Sequence, residues 1–160
     1  MENEQPFAAP HAAVRPIPPL AGYVGGKRAL AGTLVPMIEA TPHERYAEPF
    51  LGMGGLFFRR GRRPKVEAVN DRSKDVATFF RVLQRHHQAL LDMLKWQIAS
   101  RAEFERLLKV DPDTLTDLER SARFLYLQRL AFGGKVDGRS FGVSYDRPAK
   151  FDLTRLAPML

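Results

Sequence analysis

The chain has 160 residues, a formal net charge of +7 and 44% hydrophobic residues, which is enough to build one domain, or part of a larger one, around a buried core. It contains no cysteine. Disulfides, thiolate metal sites and a cysteine nucleophile are therefore excluded, and the composition fits a reducing cytoplasm, where we expect the protein.

Charge and hydropathy also limit the classes of partner that we expect. A net charge of +7 favours a polyanion, most simply nucleic acid. No apolar run approaches the ~18 residues of a membrane helix, and the acidic, proline-rich N-terminus is not typical of a signal peptide. The four histidines lack the spacing of a metal site, so we expect neither a membrane nor a metal partner.

The N-terminal segment is rich in proline. Residues 1–20 hold five prolines and no apolar period, which predicts a flexible tail. Beyond it, Leu30, Leu34 and Ile38 recur at helical spacing. Pro36 lies inside that run, and we expect it to end or kink the helix.

Two strands separated by a glycine turn come next. Residues 45–50 and residues 65–69 are short segments that we interpret as strands. The glycine turn between them is expected to lead into a helix over residues 53–60. Asp71 follows the second predicted strand, so an acidic side chain is expected near the turn.

Three helices are predicted in the middle of the chain. Residues 73–95 carry apolar side chains along one face. Capping-box pairs at residues 100–103 and 116–119 predict the starts of two more helices, the second running to about residue 131. The glycine pair at residues 133–134 then predicts a left-handed stop.

After the glycine pair the apolar period changes to two. Residues 136–139 contain an Asp-Gly dipeptide, which is typical of a hairpin turn. Phe141, Val143 and Tyr145 alternate beyond it, as on a strand with one buried face. The pattern predicts a β-hairpin.

The glycine turn and Asp71 together suggest a nucleotide-type cofactor. A strand that ends in Gly-x-Gly lets the backbone approach a ligand, and the following helix N-terminus favours polar ligand atoms. Asp71 would accept hydrogen bonds from two ribose hydroxyls. The alternatives are a plain turn and an Asp71 that only caps the next helix.

The Tyr23-Val24-Gly25-Gly26-Lys27 segment is harder to interpret from its residues. Two glycines allow close approach to a ligand, and Lys27 adds a mobile cation. A loop with a solvated lysine explains the same residues.

The order of these motifs resembles the opening of the Dam-type DNA adenine methyltransferases. The match runs from about residue 21 to residue 85, through Tyr-x-Gly-Gly-Lys, Glu-Pro-Phe-x-Gly-x-Gly and Asn70-Asp71. That family uses S-adenosylmethionine to methylate adenine N6 in duplex DNA. The resemblance implies a set of cofactor-binding residues: Tyr23, Gly25, Gly26, Lys27, Phe50, Gly52, Gly54 and Asp71.

A weaker resemblance covers residues 122–145. Residues 123–134 are similar to the helix that precedes the family's DNA-contacting hairpin, although the family usually has Phe-Asn-Gly where this chain has Phe132-Gly133-Gly134. The implied DNA-binding candidates are Arg129, Lys135, Arg139 and Ser140. Such residues mostly bind phosphates, and a solvated basic hairpin is the alternative.

The resemblance implies an α/β fold, with an incomplete Rossmann-like methyltransferase sheet and an inserted helical and β-hairpin target-recognition region. Residues 1–20 would be the tail and residues 21–85 the N-terminal part of the cofactor domain. Residues 86–150 would be the target-recognition region, and residues 151–160 a truncated return to the catalytic domain.

One motif of the family is absent from the sequence. Families of this type hold the flipped adenine with Asp-Pro-Pro-Tyr, and neither Pro18-Pro19 nor Asp111-Pro112-Asp113 replaces it. We therefore identify no catalytic residue and expect the chain to be an inactive front portion of a methyltransferase. Because such a portion would leave strand edges exposed, we expect marginal stability or association with a second chain.

Two other functions fit parts of the sequence. A non-enzymatic DNA-binding module would keep only the basic hairpin. A dinucleotide-binding oxidoreductase would also use a glycine turn and an acid, but Phe57 stands where Gly-x-Gly-x-x-Gly needs its third glycine.

Overall fold

The computed structural model describes residues 11–142, 151 and 152. Its four helices are α1 Ala31–Ala40, α2 Lys74–Leu94, α3 Arg101–Lys109 and α4 Asp117–Leu130. Its four short strands are β1 Ala12–Ala13, β2 Arg45–Glu48, β3 Arg62–Arg63 and β4 Val66–Val69. These bounds confirm the strands predicted over residues 45–50 and 65–69 and the three helices predicted in the middle of the chain. The observed ends differ from the predicted ends by one or two residues.

The strands form two small sheets. β2 and β4 pair in parallel, with Arg45 opposite Val66 and Glu48 opposite Val69. β1 and β3 pair antiparallel. The described residues are thus mixed α/β, and the parallel pair brings the carboxyl ends of β2 and β4 together. The wider Rossmann-like sheet stays a prediction.

The core lies among the helices. α4 is buried on nearly all sides and packs chiefly against α2, with α3 on another flank. Phe79 of α2 contacts Phe124 of α4, with ring centroids 5.7 Å apart. Arg120 of α4 is also buried, and it pairs with Asp75 and Asp113 at 2.6 Å each. A buried guanidinium is tolerated there because it is doubly paired.

This core crosses the expected boundary between residues 85 and 86. That boundary falls inside α2, where His86 has non-helical dihedral angles (φ −140°, ψ 34°) and kinks the helix. One cluster joins Val76 and Phe79, before the kink, with Leu90 and Phe104 after it. The described parts of both expected regions therefore share a single hydrophobic core.

The predicted capping box of α4 is confirmed. Thr116 Oγ1 accepts the Glu119 N–H at 3.3 Å, and Glu119 Oε2 accepts the Thr116 N–H at 3.0 Å. Ser100 caps α3 in the same position by accepting the Glu103 N–H at 3.1 Å. These bonds satisfy helix N–H groups that have no partner within the helix.

Replacing Thr116 with alanine is expected to lower the free energy of unfolding by about 1 kcal/mol, because one helix N–H loses its acceptor. A thermal or urea melt measures the change. Thr33→Ala is the matched control, since Thr33 is exposed within α1 and alanine is the better helix former. Equal destabilisation of the two variants would contradict the capping role.

The prediction of a helix over residues 53–60 is wrong. Only a 3₁₀ turn forms there, at Phe57–Arg59. Gly52 (φ +56°) and Gly54 (φ +69°) have left-handed backbones, which a right-handed helix cannot include. The turn therefore does not lead into a long helix, and the helix N-terminus expected beside the cofactor is absent from residues 53–60.

Two expectations about proline are also corrected. Pro36 does not end α1, which continues to Ala40; it is the sixth of the ten helix residues and removes a single backbone bond. The described part of the expected tail lies against the protein. Val14 N–H donates to Gly61 O at 2.9 Å, and Leu20 is 2% exposed.

The hairpin differs in register from the expectation. Gly133 and Gly134 both have the predicted left-handed backbone, but α4 has already ended at Leu130, where the extended Ala131 follows it. Antiparallel pairing, however, joins Ala131 to Phe141 around a long loop, rather than flanking the Asp-Gly dipeptide. The predicted strand residues Val143 and Tyr145 lie outside the described residues, as do residues 1–10 and 153–160.

Candidate functional site

The carboxyl ends of β2 and β4 bring Asp71 to the glycine turn. Asp71 Oδ2 accepts the Gly52 N–H at 2.7 Å, and Oδ1 accepts the Ser73 N–H at 2.8 Å. The second bond sets up the start of α2, where Ser73 is the N-cap. Asp71 therefore lies beside the turn and holds the N-cap residue of α2, while Ser73 rather than Asp71 is the cap itself.

The glycines of the turn are already covered by aromatic rings of the chain. A Cβ on Gly52 would lie 3.3 Å from the Tyr23 ring, and a Cβ on Gly54 would lie 2.2 Å from the Phe58 ring. Both positions also need positive φ. These two constraints explain the glycines without a ligand, so glycine alone does not locate the cofactor.

Tyr23 begins a tight turn that ends at Gly26. Gly26 N–H donates to Tyr23 O at 2.9 Å, and Gly25 has φ +76°, the sign that a type II turn requires at its third residue. No heavy atom lies within 4 Å of a Cβ built on Gly25, so this glycine faces open space. Burial raises the pKa of the Tyr23 hydroxyl, and the nearby Asp71 adds to the effect.

Lys27 is held at the end of β2 rather than free in solvent. Its Nζ donates to Phe50 O and forms an ion pair with Glu48 Oε1 at 3.0 Å. Glu48 is buried, and its other oxygen accepts the Tyr46 hydroxyl at 2.7 Å. Sequence reasoning missed Glu48 as the partner of Lys27, although the Glu-Pro-Phe motif contained it.

Phe50 is the most exposed large side chain among the predicted cofactor residues. Its side chain is 69% exposed, just beyond the end of β2. Leu51 N–H donates to Asn70 O at 2.9 Å, so this segment runs beside the one that carries Asp71. An exposed aromatic ring is a surface on which a flat apolar group can lie.

Of the four predicted DNA-binding residues, two are exposed and two are partly enclosed. Lys135 and Ser140 are exposed. Arg129 donates to Leu20 O at 2.5 Å, and Arg139 donates to Gln128 Oε1 at 3.0 Å and to Lys135 O at 3.2 Å. Burial lowers the pKa of both guanidinium groups.

Gln128 connects the two groups of predicted residues, and sequence reasoning missed it. It is buried on α4 and donates to Gly22 O and Gly134 O at 2.7 and 2.8 Å. Gly22 precedes Tyr23, and Gly134 opens the loop that carries Arg139. The available signal was an amide side chain in an otherwise apolar run, Phe124-Leu125-Tyr126-Leu127.

The chemical groups of these residues match those of S-adenosylmethionine. Each Asp71 oxygen accepts one backbone N–H, and a carboxylate oxygen has two lone-pair sites, so acceptor capacity remains for ribose hydroxyls. The Tyr23 ring lies beside Gly52, whose N–H donates to this carboxylate, so an aromatic surface is close to it.

Residues 11–142 and 151–152 offer neither a membrane span nor a metal centre. No helix in that part of the chain is long and apolar enough to cross a membrane. Those residues also contain no group of three or more His, Asp or Glu side chains placed to hold a metal ion.

Comparisons with known proteins agree with the motif order. The chain is 29% identical over 141 residues to the type II methyltransferase M1.LlaDCHI of Lactococcus lactis subsp. cremoris, covering 81% of this chain and 48% of that protein. It is 30% identical over 133 residues to the DNA N-6-adenine-methyltransferase of Escherichia phage P1, covering 78% of this chain and 17% of that protein.

The chain therefore spans about half the length of the first relative and less of the second. A family model also matches residues 23–151, which is most of the chain and includes the glycine turn, Asp71 and the Gln128 junction. By this match the chain belongs to the D12 class N6 adenine-specific DNA methyltransferases.

Proposed function

We propose that this chain supplies the cofactor-binding and DNA-contacting part of an enzyme that methylates adenine N6 in duplex DNA with S-adenosylmethionine. The observation that carries the proposal is the placement of Asp71 against Gly52 at neighbouring ends of two parallel strands. Ligands of open α/β sheets bind at the carboxyl ends of the strands.

Within this site each residue has a distinct task. Asp71 accepts hydrogen bonds from the ribose hydroxyls. Phe50 and Tyr23 offer apolar ring surface to the cofactor or to the flipped adenine. Lys27, held by Glu48, fixes the loop of residues 23–27 against the end of β2. When bound, S-adenosylmethionine supplies the methyl group.

On the DNA side, Lys135 and Ser140 are the exposed contacts, and Arg139 contributes the N–H groups that its internal bonds leave free. These side chains bind phosphates and set the register of the protein on the duplex. Neither the oxidoreductase nor the non-enzymatic DNA-binding module is supported by the family match.

We also propose that methyl transfer requires protein residues outside this sequence. The sequence has no Asp-Pro-Pro-Tyr to hold the adenine amine. One face of the β2–β4 pair is moreover exposed at all four positions, Arg45, Ala47, Val66 and Ala68. Parallel strands are ordinarily covered on both faces, so a further segment of the methyltransferase fold would cover this one.

A methyl-transfer assay tests this proposal. The chain alone, incubated with radiolabelled S-adenosylmethionine and adenine-containing duplex DNA, is expected to transfer no label above a boiled control. Addition of a polypeptide that carries Asp-Pro-Pro-Tyr and the remaining strands of a relative is expected to give labelled N6-methyladenine. Incorporation by the chain alone would contradict its dependence on outside residues, and labelling of another base would contradict the adenine assignment.

A further inference from the structure

A single buried side chain joins the segment that carries Tyr23 to the loop that carries Arg139. Gln128 Nε2 donates to Gly22 O at 2.7 Å and to Gly134 O at 2.8 Å, while its Oε1 accepts Arg139 Nη2 at 3.0 Å. Gln128 is 1% exposed. Two separate segments of the chain, one at Gly22 and one from Gly134 to Arg139, are thus bonded to one amide.

The chemistry of the three partners fixes the orientation of that amide. Two partners are carbonyl oxygens, which can only accept, and the third is a guanidinium, which can only donate. A side-chain amide offers two donors on one atom and an acceptor on the other, so glutamine satisfies all three at once. Glutamate lacks the donors, and leucine lacks both functions.

Direct backbone contact reinforces this connection. Val24 N–H donates to Gly134 O at 3.0 Å. A Cβ on Gly134 would lie 2.7 Å from Gly22 C and 2.9 Å from Tyr23 N. The two backbones therefore touch, and a shift of either segment displaces the other.

Arg139 extends the connection toward the DNA side. Its Nε and one Nη2 hydrogen are committed to Lys135 O and Gln128 Oε1. A guanidinium has five N–H donors, so Arg139 can donate to a phosphate and keep its bond to Gln128. A contact made on DNA is then transmitted to the amide that holds Gly22.

We propose that Gln128 is a positioning residue that couples the cofactor loop, residues 22–27, to the recognition loop, residues 133–140. DNA held by the recognition loop then changes the affinity of the cofactor loop for S-adenosylmethionine, and by linkage the cofactor changes the affinity for DNA. Gln128 touches neither ligand in this account. The names of the two ligands rest on the proposed function, whereas the connection between the loops rests on the contacts above.

Ligand binding tests the coupling. In the unaltered chain, calorimetry is expected to give different dissociation constants for S-adenosylmethionine with and without a short adenine-containing duplex, by about 5-fold or more. Gln128→Leu, which removes all three bonds at similar volume, is expected to bring that ratio close to one. Gln84→Leu, at an exposed position of α2, is the control and should leave the ratio unchanged.

Hydrogen–deuterium exchange of the same chains gives a second readout that needs no ligand. Gln128→Leu is expected to speed exchange in both loops together, with the peptides of α3 unaffected. If that variant does not fold, Gln128→Glu serves, since it keeps the acceptor for Arg139 and loses the bonds to Gly22 and Gly134.

The outcomes separate the two proposals. Faster exchange in only one loop, or an unchanged ratio of dissociation constants in a folded variant, would overturn the coupling. If the unaltered chain binds neither ligand, the proposed function of the chain fails, and the exchange measurement alone decides whether the loops act as one unit.

Discussion

Replacing Asp71 with alanine should weaken S-adenosylmethionine binding by about 100-fold, which corresponds to ~2.7 kcal/mol. In the proposed site, the Asp71 carboxylate is the acceptor for the ribose hydroxyls, and hydrogen bonds to a charged group contribute about 1.5–3 kcal/mol. The same substitution removes the acceptor of the Gly52 and Ser73 N–H groups. We therefore also expect a loss of about 1–3 kcal/mol in the free energy of unfolding.

Calorimetry at a temperature where the variant remains folded separates the two effects. Asp71→Asn is isosteric and keeps one acceptor oxygen, so it should lose less stability than alanine while still losing cofactor affinity. Asp92→Ala, at an exposed position of α2, is the matched control for removal of one carboxylate. Undiminished affinity in folded Asp71→Ala would show that the ribose is held elsewhere.

The second large effect is expected at Gly134. Alanine there must adopt φ +69°, which costs roughly 1–2 kcal/mol for a residue with a side chain. Its Cβ would also lie within 3.0 Å of three backbone atoms of residues 22–23, which cannot rotate away as a side chain would. Steric crowding of this kind typically adds 1–3 kcal/mol.

Gly133 provides an internal comparison. It has nearly the same backbone angle, φ +64°, but a Cβ there would meet no atom within 4 Å. Gly133→Ala should therefore show the backbone cost alone. Urea melts of the two variants measure the difference, and equal destabilisation would indicate that the contact between Gly134 and the Tyr23 segment contributes nothing.

Local signals predicted the helices well. The capping residues Ser100 and Thr116 each begin a helix as expected, and the apolar face predicted for residues 73–95 packs in the core. Helix starts depend on side-chain to backbone bonds made within three residues, so a short window of sequence contains the necessary information.

The predictions that failed concern segments whose structure is set by contacts with distant parts of the chain. Gly52 and Gly54 have positive φ and lie against the rings of Tyr23 and Phe58, of which Tyr23 is distant in sequence. The position of residues 11–20 depends on hydrogen bonds to Phe58 O and Gly61 O. Neither set of contacts leaves a periodic pattern, so the sequence alone did not indicate them.

In the candidate site, too, the sequence motifs were informative and the contacts between distant segments were not predicted. The motif order predicted that the glycine turn and Asp71 lie close together, and in the structure they are in direct contact. The role of Gln128 was not predicted, because its partners Gly22 and Gly134 become neighbours only in the folded chain. Contacts between distant segments, rather than the motifs, therefore connect the two predicted groups of residues.

Titration of the purified chain with S-adenosylmethionine, followed by calorimetry and by thermal melting, tests the central claim most directly. We expect saturable binding at one site and a cooperative melt whose midpoint temperature rises with the cofactor concentration. At a hundred times the dissociation constant, the stabilisation should reach about 2.7 kcal/mol, and it should be lost in Asp71→Ala. A cooperative melt that does not respond to the cofactor, with no heat of binding, would contradict the claim that these residues form the cofactor site.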